Sequence, residues 1–330
     1  MLRRRFPGLS VLAWVGVSAV LLAFMLVITG RPAAAASPVE EAGFGSNPGK
    51  LQMFRYVPAG LPAGAPLVVA LHGCSQTASA YGDESGWLQL ADRWRFALLL
   101  PQQPSRMANF SCFTWFDNAD INRGAGEAMS IKQMIDRMLT RYRVDTGRVY
   151  VTGLSAGGAM TAVMLAAYPE VFAGGGIVAG LPYKCATTQV QAYTCMNPGV
   201  DRTPKQWGDL VRGAASYTGR RAPVSLWHGT GDTTVVPANL TEEVDQWTDV
   251  LGADQAPDVT DRLMGQVHKV YLDGSGSAAV ETFEIAGMRH GQPVAPTASG
   301  PEQCGHAGAF DIDVGICAAY HIGLFWHLGA

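Results

Sequence analysis

The sequence predicts an α/β fold in which helices cover both faces of a mostly parallel central sheet. Strand-like apolar runs alternate with helical patterns along the chain, and such alternation is typical of parallel sheets. The predicted strands cover residues 52–57, 67–71, 96–100, 149–152, 175–178, 224–228 and 281–285. The predicted helices include residues 127–143, 158–168, 204–214 and 240–251. The apolar strand runs indicate a sheet that is buried on both faces.

The chain of 330 residues divides into a leader, a short connecting segment and one large domain. Residues 1–36 start with basic residues, continue with an apolar run from Leu9 to Thr29 and end in small residues. This order predicts a cleaved signal peptide for the general secretory or the twin-arginine route, and a membrane anchor is the alternative. Residues 37–50, rich in Gly, Pro and Ser, are predicted to be flexible. Residues 51–330 are predicted to form a single domain, with no stable membrane association after cleavage.

The charge distribution argues against a nucleic-acid partner. The net charge is −3, and Lys and Arg form no cluster beyond the N-terminus. The electrostatic footprint of a nucleic-acid-binding protein is therefore missing. A neutral or weakly charged ligand is predicted instead.

The six cysteines predict disulfides, because an exported chain meets an oxidising compartment and no C-x-x-C spacing suggests a metal site. Six cysteines allow fifteen pairings. Two pairs enclose short loops, and pairing these locally leaves the remaining two cysteines for each other. The resulting pairs are Cys185 with Cys195, Cys304 with Cys317, and Cys74 with Cys112.

A serine stands between two glycines in the stretch VYVTGLSAGG, residues 149–158. Strand-forming residues precede it and a helical, Ala-rich segment follows it. Strand, sharp turn and helix are the context of a nucleophile elbow, in which Gly153 and Gly157 permit the turn and Ser155 is exposed at its apex. A plain Gly/Ser turn is the alternative that the short pattern alone leaves open.

A serine hydroxyl becomes a good nucleophile when a histidine takes its proton and a carboxylate orients that histidine. Asp232 in SLWHGTGDTTVVP follows a predicted strand in a Gly-rich turn, and a structural turn-forming aspartate is the alternative. His290 in FEIAGMRHGQP follows a later strand. Of the seven histidines it is the one downstream of Asp232 at a strand end, so it is predicted as the general base. The order serine, acid, histidine is that of α/β-hydrolases.

Ester hydrolysis also needs an oxyanion hole, because negative charge develops on the carbonyl oxygen. One donor is expected to be the backbone N–H of Ala156, the residue after the nucleophile. The other is expected from the turn after the early strand, in VVALHGCSQ, at the backbone N–H of Cys74.

With these residues in place, the sequence resembles the polyhydroxybutyrate depolymerase type of esterase, α/β-hydrolases related to the feruloyl and acetylxylan esterases of carbohydrate esterase family one. The resemblance covers nearly the whole chain after the leader. It rests on FRYVPAGLPAGAPLVVALHGCSQT, CFTWFD, GEAMSIKQMIDRM, VYVTGLSAGGAMTAVMLAAYPEVFAGG, WHGTGDTTVVP, GMRHGQPV and CGHAGAFDIDVGICAAYHIGLFW.

The resemblance implies site residues and a substrate class. Ser155, Asp232 and His290 match the triad, and the Cys74 turn matches the oxyanion loop, which a disulfide to Cys112 would tie to CFTWFD. Extracellular polymer-degrading members usually add a linker and a binding domain, which this sequence does not show. Soluble oligomers or amorphous polymer of hydroxyalkanoate esters are therefore the expected substrates. Feruloyl or acetyl esters of plant polysaccharide are the alternative, and an inactive binding protein on a hydrolase scaffold is a third.

The remaining expectations concern the pocket and metals. Trp115 and Phe116, close to Cys112 in sequence, are expected to line an acyl or ester pocket, with ordinary core packing as the alternative. Asp311 and Asp313 are interpreted as a solvated turn, because calcium needs more oxygen ligands than two carboxylates provide. No cofactor and no metal are expected.

Overall fold

The computed structural model describes residues 1–2, 37–104 and 110–329. The predicted signal peptide, apart from its first two residues, lies outside the described residues. The strands are β1 (Val39–Glu41), β2 (Gln52–Tyr56), β3 (Leu67–Leu71), β4 (Ala97–Gln102), β5 (Val149–Leu154), β6 (Gly174–Val178), β7 (Val224–Gly229), β8 (Val259–Leu263), β9 (Gln266–Leu272), β10 (Ala278–Ile285), β11 (Gln292–Val294) and β12 (Asp311–Asp313). The helices are α1 (Ala78–Glu84), α2 (Trp87–Trp94), α3 (Asn118–Ile121), α4 (Gly126–Tyr142), α5 (Ala156–Ala167), α6 (Gln189–Met196), α7 (Pro204–Arg212), α8 (Ala238–Leu251) and α9 (Ala318–Phe325).

One large sheet organises the domain, with the strand order β1-β2-β4-β3-β5-β6-β7-β10-β9-β8. Its centre, from β4 to β10, is parallel, whereas β1, β2, β9 and β8 are antiparallel additions at the two edges. All residues of β3 to β7 are buried. These strands are short, apolar runs of the kind that a doubly covered parallel sheet requires.

Two apolar cores cover the two faces of the sheet. One contains residues of α4, α5, α7 and α8, and the other contains residues of α1, α2 and α9. Aromatic residues are frequent in the second core, where Trp326 stacks on Tyr150 and on Trp87 with ring centroids 5.0 and 5.7 Å apart. The predicted α/β fold with helices on both faces of a mostly parallel sheet is confirmed.

The predicted strands match the central sheet within a few residues, and the strands that sequence patterns missed lie at its edge or outside it. All five residues of β8 are exposed, and β9 is only partly buried. Edge strands that face solvent carry polar residues, so they lack the apolar run by which buried strands are recognised. In the described part of the chain, none of the helices combines the length and the apolar character of a membrane span.

The segment of residues 37–50 makes specific contacts with the rest of the domain, which its composition did not indicate. Its strand β1 pairs with β2, and residues Ser37–Ala330 form one compact unit. Glu41 is buried and accepts hydrogen bonds from Arg137 Nε at 2.6 Å, Arg55 Nε at 2.8 Å and the Tyr142 hydroxyl at 2.9 Å. Specific ion pairs can thus anchor a segment that is rich in turn-forming residues.

We expect Glu41→Gln to lower the free energy of unfolding at pH 7 by about 2 kcal/mol, because it removes charge-assisted hydrogen bonds at a buried site. Burial raises the pKa of Glu41, but the bonds from Arg137, Arg55 and Tyr142 outweigh it and hold the pKa below its usual range. Stability from a lowered carboxyl pKa is present at neutral pH and lost as pH falls through the folded-state pKa. Urea unfolding should therefore show wild type and variant converging in acid.

The matched control is Glu40→Gln, one residue away on an exposed side chain that accepts only from Gln52 among the described residues. It should change the unfolding free energy by less than about 0.5 kcal/mol. Equal losses in the two variants would contradict the anchoring role of Glu41.

Candidate active site

The turn between β5 and α5 is as sharp as a nucleophile elbow requires. Ser155 has φ 57° and ψ −119°, a conformation that side-chain-bearing residues rarely adopt. A Cβ on Gly157 would overlap the carbonyl oxygens of Leu71 and His72, and one on Gly153 would overlap the backbone of Gly157. Only glycine fits both positions, so the end of β3 can approach the elbow and Ser155 stands at the apex.

The structure brings Ser155, His290 and Asp232 into one hydrogen-bonded line. His290 Nε2 lies 2.8 Å from Ser155 Oγ, and His290 Nδ1 lies 2.6 Å from Asp232 Oδ2. Because an ionised carboxylate only accepts, Nδ1 carries the proton and Nε2 is free to accept the serine hydroxyl proton. The three residues follow β5, β7 and β10, whose carboxyl ends lie along one edge of the parallel sheet.

Asp232 is buried, and its environment keeps it ionised. Its Oδ1 accepts the N–H groups of Thr234 at 2.8 Å and Val235 at 2.9 Å. Burial raises the pKa of Asp232, but the hydrogen bond and charge of His290, followed by the Thr234 N–H, outweigh burial and hold the pKa below its usual range. A carboxylate in this state fixes the orientation and tautomer of the imidazole.

The two expected oxyanion donors lie beside the serine. Cys74 is in the turn after β3 and lines the same pocket as Ser155, while Ala156 is the first residue of α5. The first N–H groups of a helix have no partner within the helix. Within residues 37–104 and 110–329, neither the Cys74 N–H nor the Ala156 N–H takes part in a hydrogen bond.

Each cysteine of the predicted pairs is bonded to its expected partner. The Cα atoms of Cys74 and Cys112 are 4.3 Å apart, and this bond joins the turn after β3 to the loop that carries Trp115 and Phe116. The other two bonds close short loops near α6 and before α9. They are Cys185 with Cys195 and Cys304 with Cys317.

A pocket of about 610 Å³ opens at Ser155 and His290. Trp115 and Phe116 both line it, and their rings meet edge to face with centroids 5.4 Å apart. Trp115 also packs into the core, so the structure realises both interpretations of this aromatic pair. Sequence patterns did not indicate the opposite wall, which comes from Ala192, Tyr193 and Met196 of α6. The Cys185–Cys195 loop around α6 was the one signal that could have indicated it.

Asp311 is buried, so the sequence-based interpretation of a solvated turn is wrong for this residue. Its side chain is 1% exposed and accepts a hydrogen bond from Gln76 Nε2 at 3.0 Å, whereas Asp313 is exposed as expected. The short pairing of β12 with β11 carries Asp311 into the interior. No local pattern signals such a pairing between three-residue strands.

Comparisons with known proteins agree with this architecture. A family model described as esterase PHB depolymerase matches residues 51–264. The chain is 55% identical over 286 residues to a poly(3-hydroxyalkanoate) depolymerase C of Paucimonas lemoignei, covering 86% of this chain and 69% of that protein. It is 34% identical over 268 residues to a feruloyl esterase B of Talaromyces funiculosus, covering 78% and 74% of the two chains.

Among solved structures, an acetyl xylan esterase from Aspergillus awamori superposes with a TM-score of 0.70 at 30% identity, covering 77% of this chain and 94% of that one. The fold and these similarities define a carboxylic ester hydrolase with an α/β-hydrolase architecture. More narrowly, the chain belongs to the polyhydroxybutyrate depolymerase family of esterases.

We expect Gly157→Ala to lower the free energy of unfolding by about 3 kcal/mol or more, because the added methyl group would collide with backbone carbonyls that cannot move independently of β3. The control is Gly274→Ala, where a Cβ meets nothing within 4 Å. Urea unfolding should show a change within about 0.5 kcal/mol for the control. A stable Gly157→Ala protein would mean that the elbow is less tightly packed than the structure shows.

Proposed function

We propose that the protein is an exported serine esterase that hydrolyses hydroxyalkanoate esters through an acyl-enzyme at Ser155. The observation that carries this proposal is the position of His290, which is hydrogen-bonded to both Ser155 and Asp232. Nucleophile, base and orienting carboxylate in this arrangement are the parts that nucleophilic ester hydrolysis needs.

The geometry supports a two-step mechanism. Ser155 Oγ attacks the ester carbonyl carbon while its proton passes to His290 Nε2, and Asp232 stabilises the imidazolium that forms. The backbone N–H groups of Cys74 and Ala156 stabilise the oxyanion of the tetrahedral intermediate. Collapse of the intermediate breaks the bond to the leaving alkoxide, which takes the proton from His290. A water molecule then repeats the sequence and releases the acid from Ser155.

The pocket supports an apolar, uncharged substrate. Its wall is predominantly apolar, and Phe116, Met196 and Phe310 line it together with Ser155. Large apolar side chains are also exposed near its mouth, where Tyr193 is 64% and Phe110 72% exposed. Exposed apolar groups that continue a pocket lining are suited to an extended hydrophobic ligand. The similarity to a poly(3-hydroxyalkanoate) depolymerase supports hydroxyalkanoate oligomers or accessible polymer as that ligand.

A second candidate substrate class is the feruloyl or acetyl ester of plant polysaccharide. It is favoured by the similarity to a feruloyl esterase and by the structural match to an acetyl xylan esterase. Both reactions would use the same serine, histidine and aspartate, so the walls of the pocket must decide between them.

Export and domain organisation belong to the same proposal. Residues 1–36 would be the signal peptide, and residues 51–330 the single catalytic domain. Three disulfides within the described residues support an oxidising compartment, where such bonds persist. Residues 37–50 would stay attached to the mature domain, because β1 and Glu41 are packed against it.

Ser155→Ala should lower kcat for p-nitrophenyl butyrate by roughly 10⁴-fold or more, because the acyl-enzyme can no longer form. His290→Ala should lose nearly as much, and Asp232→Asn the same or less, since triad members act as a unit. The control is Ser275→Ala in an exposed turn, which should retain wild-type kcat. Substantial turnover by folded Ser155→Ala protein would refute the assignment.

The substrate class is tested by comparing kcat/KM for 3-hydroxybutyrate oligomers with that for methyl ferulate and acetylated xylan. We expect the oligomers to be preferred. We also expect Tyr193→Ser to slow clearing of an amorphous polymer emulsion by about fivefold or more, since a buried aromatic contact contributes about 1 kcal/mol. Hydrolysis of p-nitrophenyl acetate should be nearly unchanged. A higher kcat/KM for methyl ferulate or acetylated xylan would instead show that esters of plant polysaccharide are the preferred substrates.

A further inference from the structure

The turn that carries Cys74 is held by Gln76, two residues further along the chain. The Gln76 side chain folds back so that its Oε1 accepts the Gly73 N–H at 2.8 Å. The Gln76 backbone N–H donates to the Gly73 carbonyl at 3.2 Å. Gln76 therefore binds both the N–H and the carbonyl of Gly73. Gly73 directly precedes Cys74, the proposed oxyanion donor.

These bonds determine where the Cys74 N–H points. The Gly73 carbonyl and the Cys74 N–H belong to one planar trans peptide unit, so they point in opposite directions. The carbonyl is turned inward, toward the Gln76 N–H and toward His72 Nδ1 at 2.8 Å. The Cys74 N–H is therefore directed away from these groups, and Cys74 lines the pocket that opens at Ser155.

Gln76 is itself fixed by Asp311 from the distant β12. Gln76 Nε2 donates to Asp311 Oδ2 at 3.0 Å, and both side chains are buried. The two bonds together fix the amide of Gln76, because the Gly73 N–H can face only Oε1 and the NH₂ group then donates to Asp311. Two residues that are 235 positions apart thus form one chain of hydrogen bonds to the oxyanion turn.

Asp311 also has an acidic neighbour, Glu84, at the end of α1. Burial, followed by a side-chain hydrogen bond and charge repulsion from Glu84, raises the pKa of Asp311 above its usual range. Glu84 also joins this region through its backbone carbonyl, which accepts the His306 N–H at 2.8 Å. Protonation of Asp311, which its raised pKa favours, relieves the like-charge repulsion between Asp311 and Glu84 beside Gln76.

We propose that Gln76, oriented by Asp311, is a positioning residue that aims the Cys74 N–H at the oxyanion. Gln76 does not touch the substrate and acts through Gly73. The inference rests on the proposed esterase function, since an oxyanion donor matters only for a reaction that generates an oxyanion. Its consequence is selective: the donor is needed in the transition state, so mispositioning it should lower kcat and leave KM almost unchanged.

The primary test is Gln76→Met, which keeps the side-chain length but removes both polar atoms. We expect kcat for p-nitrophenyl butyrate to fall roughly 10- to 100-fold with KM within about threefold, because small displacements of an oxyanion donor are costly. Affinity for n-butylboronic acid, whose tetrahedral serine adduct uses the same donors, should fall by a similar factor. A purely structural role would not lower the affinity for this adduct in step with kcat.

Gln133→Met is the matched control, because Gln133 Oε1 also accepts a backbone N–H at 2.8 Å, that of Asn47, far from the turn. Both variants lose a bond between a glutamine oxygen and a backbone N–H, and thermal unfolding measures how far each variant is destabilised. Only Gln76→Met should lose kcat. Wild-type kcat in Gln76→Met, or an equal loss of kcat in both variants, would overturn the proposal.

The role of Asp311 is tested by a conservative and a disruptive substitution. Asp311→Asn keeps an acceptor oxygen for Gln76 and should hold kcat within about threefold of wild type, whereas Asp311→Leu should match Gln76→Met. If Asp311→Leu does not fold, Asp311→Ala replaces it, since it also removes the acceptor for Gln76 Nε2 and should also lose kcat. Retained kcat in the disruptive variant would refute the link to Asp311.

Wild-type protein serves as the reference that separates the two proposals. If it neither hydrolyses p-nitrophenyl esters nor reacts with a fluorophosphonate at Ser155, the proposed function fails. If it does both and Gln76→Met is indistinguishable from it, only the inference about Gln76 fails.

Discussion

The close approach of β3 to the elbow after β5 is the constraint on which the active site depends. The Leu71 carbonyl occupies space that a side chain at residue 157 would need, and β3 and β5 are neighbouring parallel strands whose register pairs Leu71 with Gly153. The carboxyl ends of β3 and β5 therefore lie next to each other. Because of this, the turn after β3 and the first residue of α5 lie side by side, and they carry the backbone N–H groups of Cys74 and Ala156 that we propose as oxyanion donors.

Buried carboxyls hold the loops around this centre, and their surroundings give them different ionisation states. The pKa of Asp232 is held low by His290, so it is charged and can stabilise an imidazolium. Glu127 accepts the Thr114 N–H at 2.9 Å and a bond from Gln103, and burial raises its pKa to about 8. Burial thus favours its neutral form, in which it anchors the loop of Trp115 without a buried charge. Similar side chains thus favour opposite ionisation states through their environment alone.

The pocket is lined by a disulfide-linked loop and by helix α6. Trp115 and Cys112 belong to a loop that is tied to the oxyanion turn by a disulfide and packed into the core. The facing wall comes from α6, which lies between β6 and α7 and is held by the Cys185–Cys195 bond. Residues on a surface helix of this kind can change without disturbing the hydrogen bonds among Ser155, His290 and Asp232.

The sequence by itself determined the central strands, the order of Ser155, Asp232 and His290, and the expected cysteine pairs, because these depend on local apolar runs, glycine turns and short spacings. It did not reveal β8, β9 or the packing of residues 37–50, which depend on partners elsewhere in the chain. Only the tertiary structure decided that α6 walls the pocket and that Asp311 is buried against Gln76. Contacts between residues more than 200 positions apart leave no periodic signal, since they arise when the completed sheet brings separate loops to one edge.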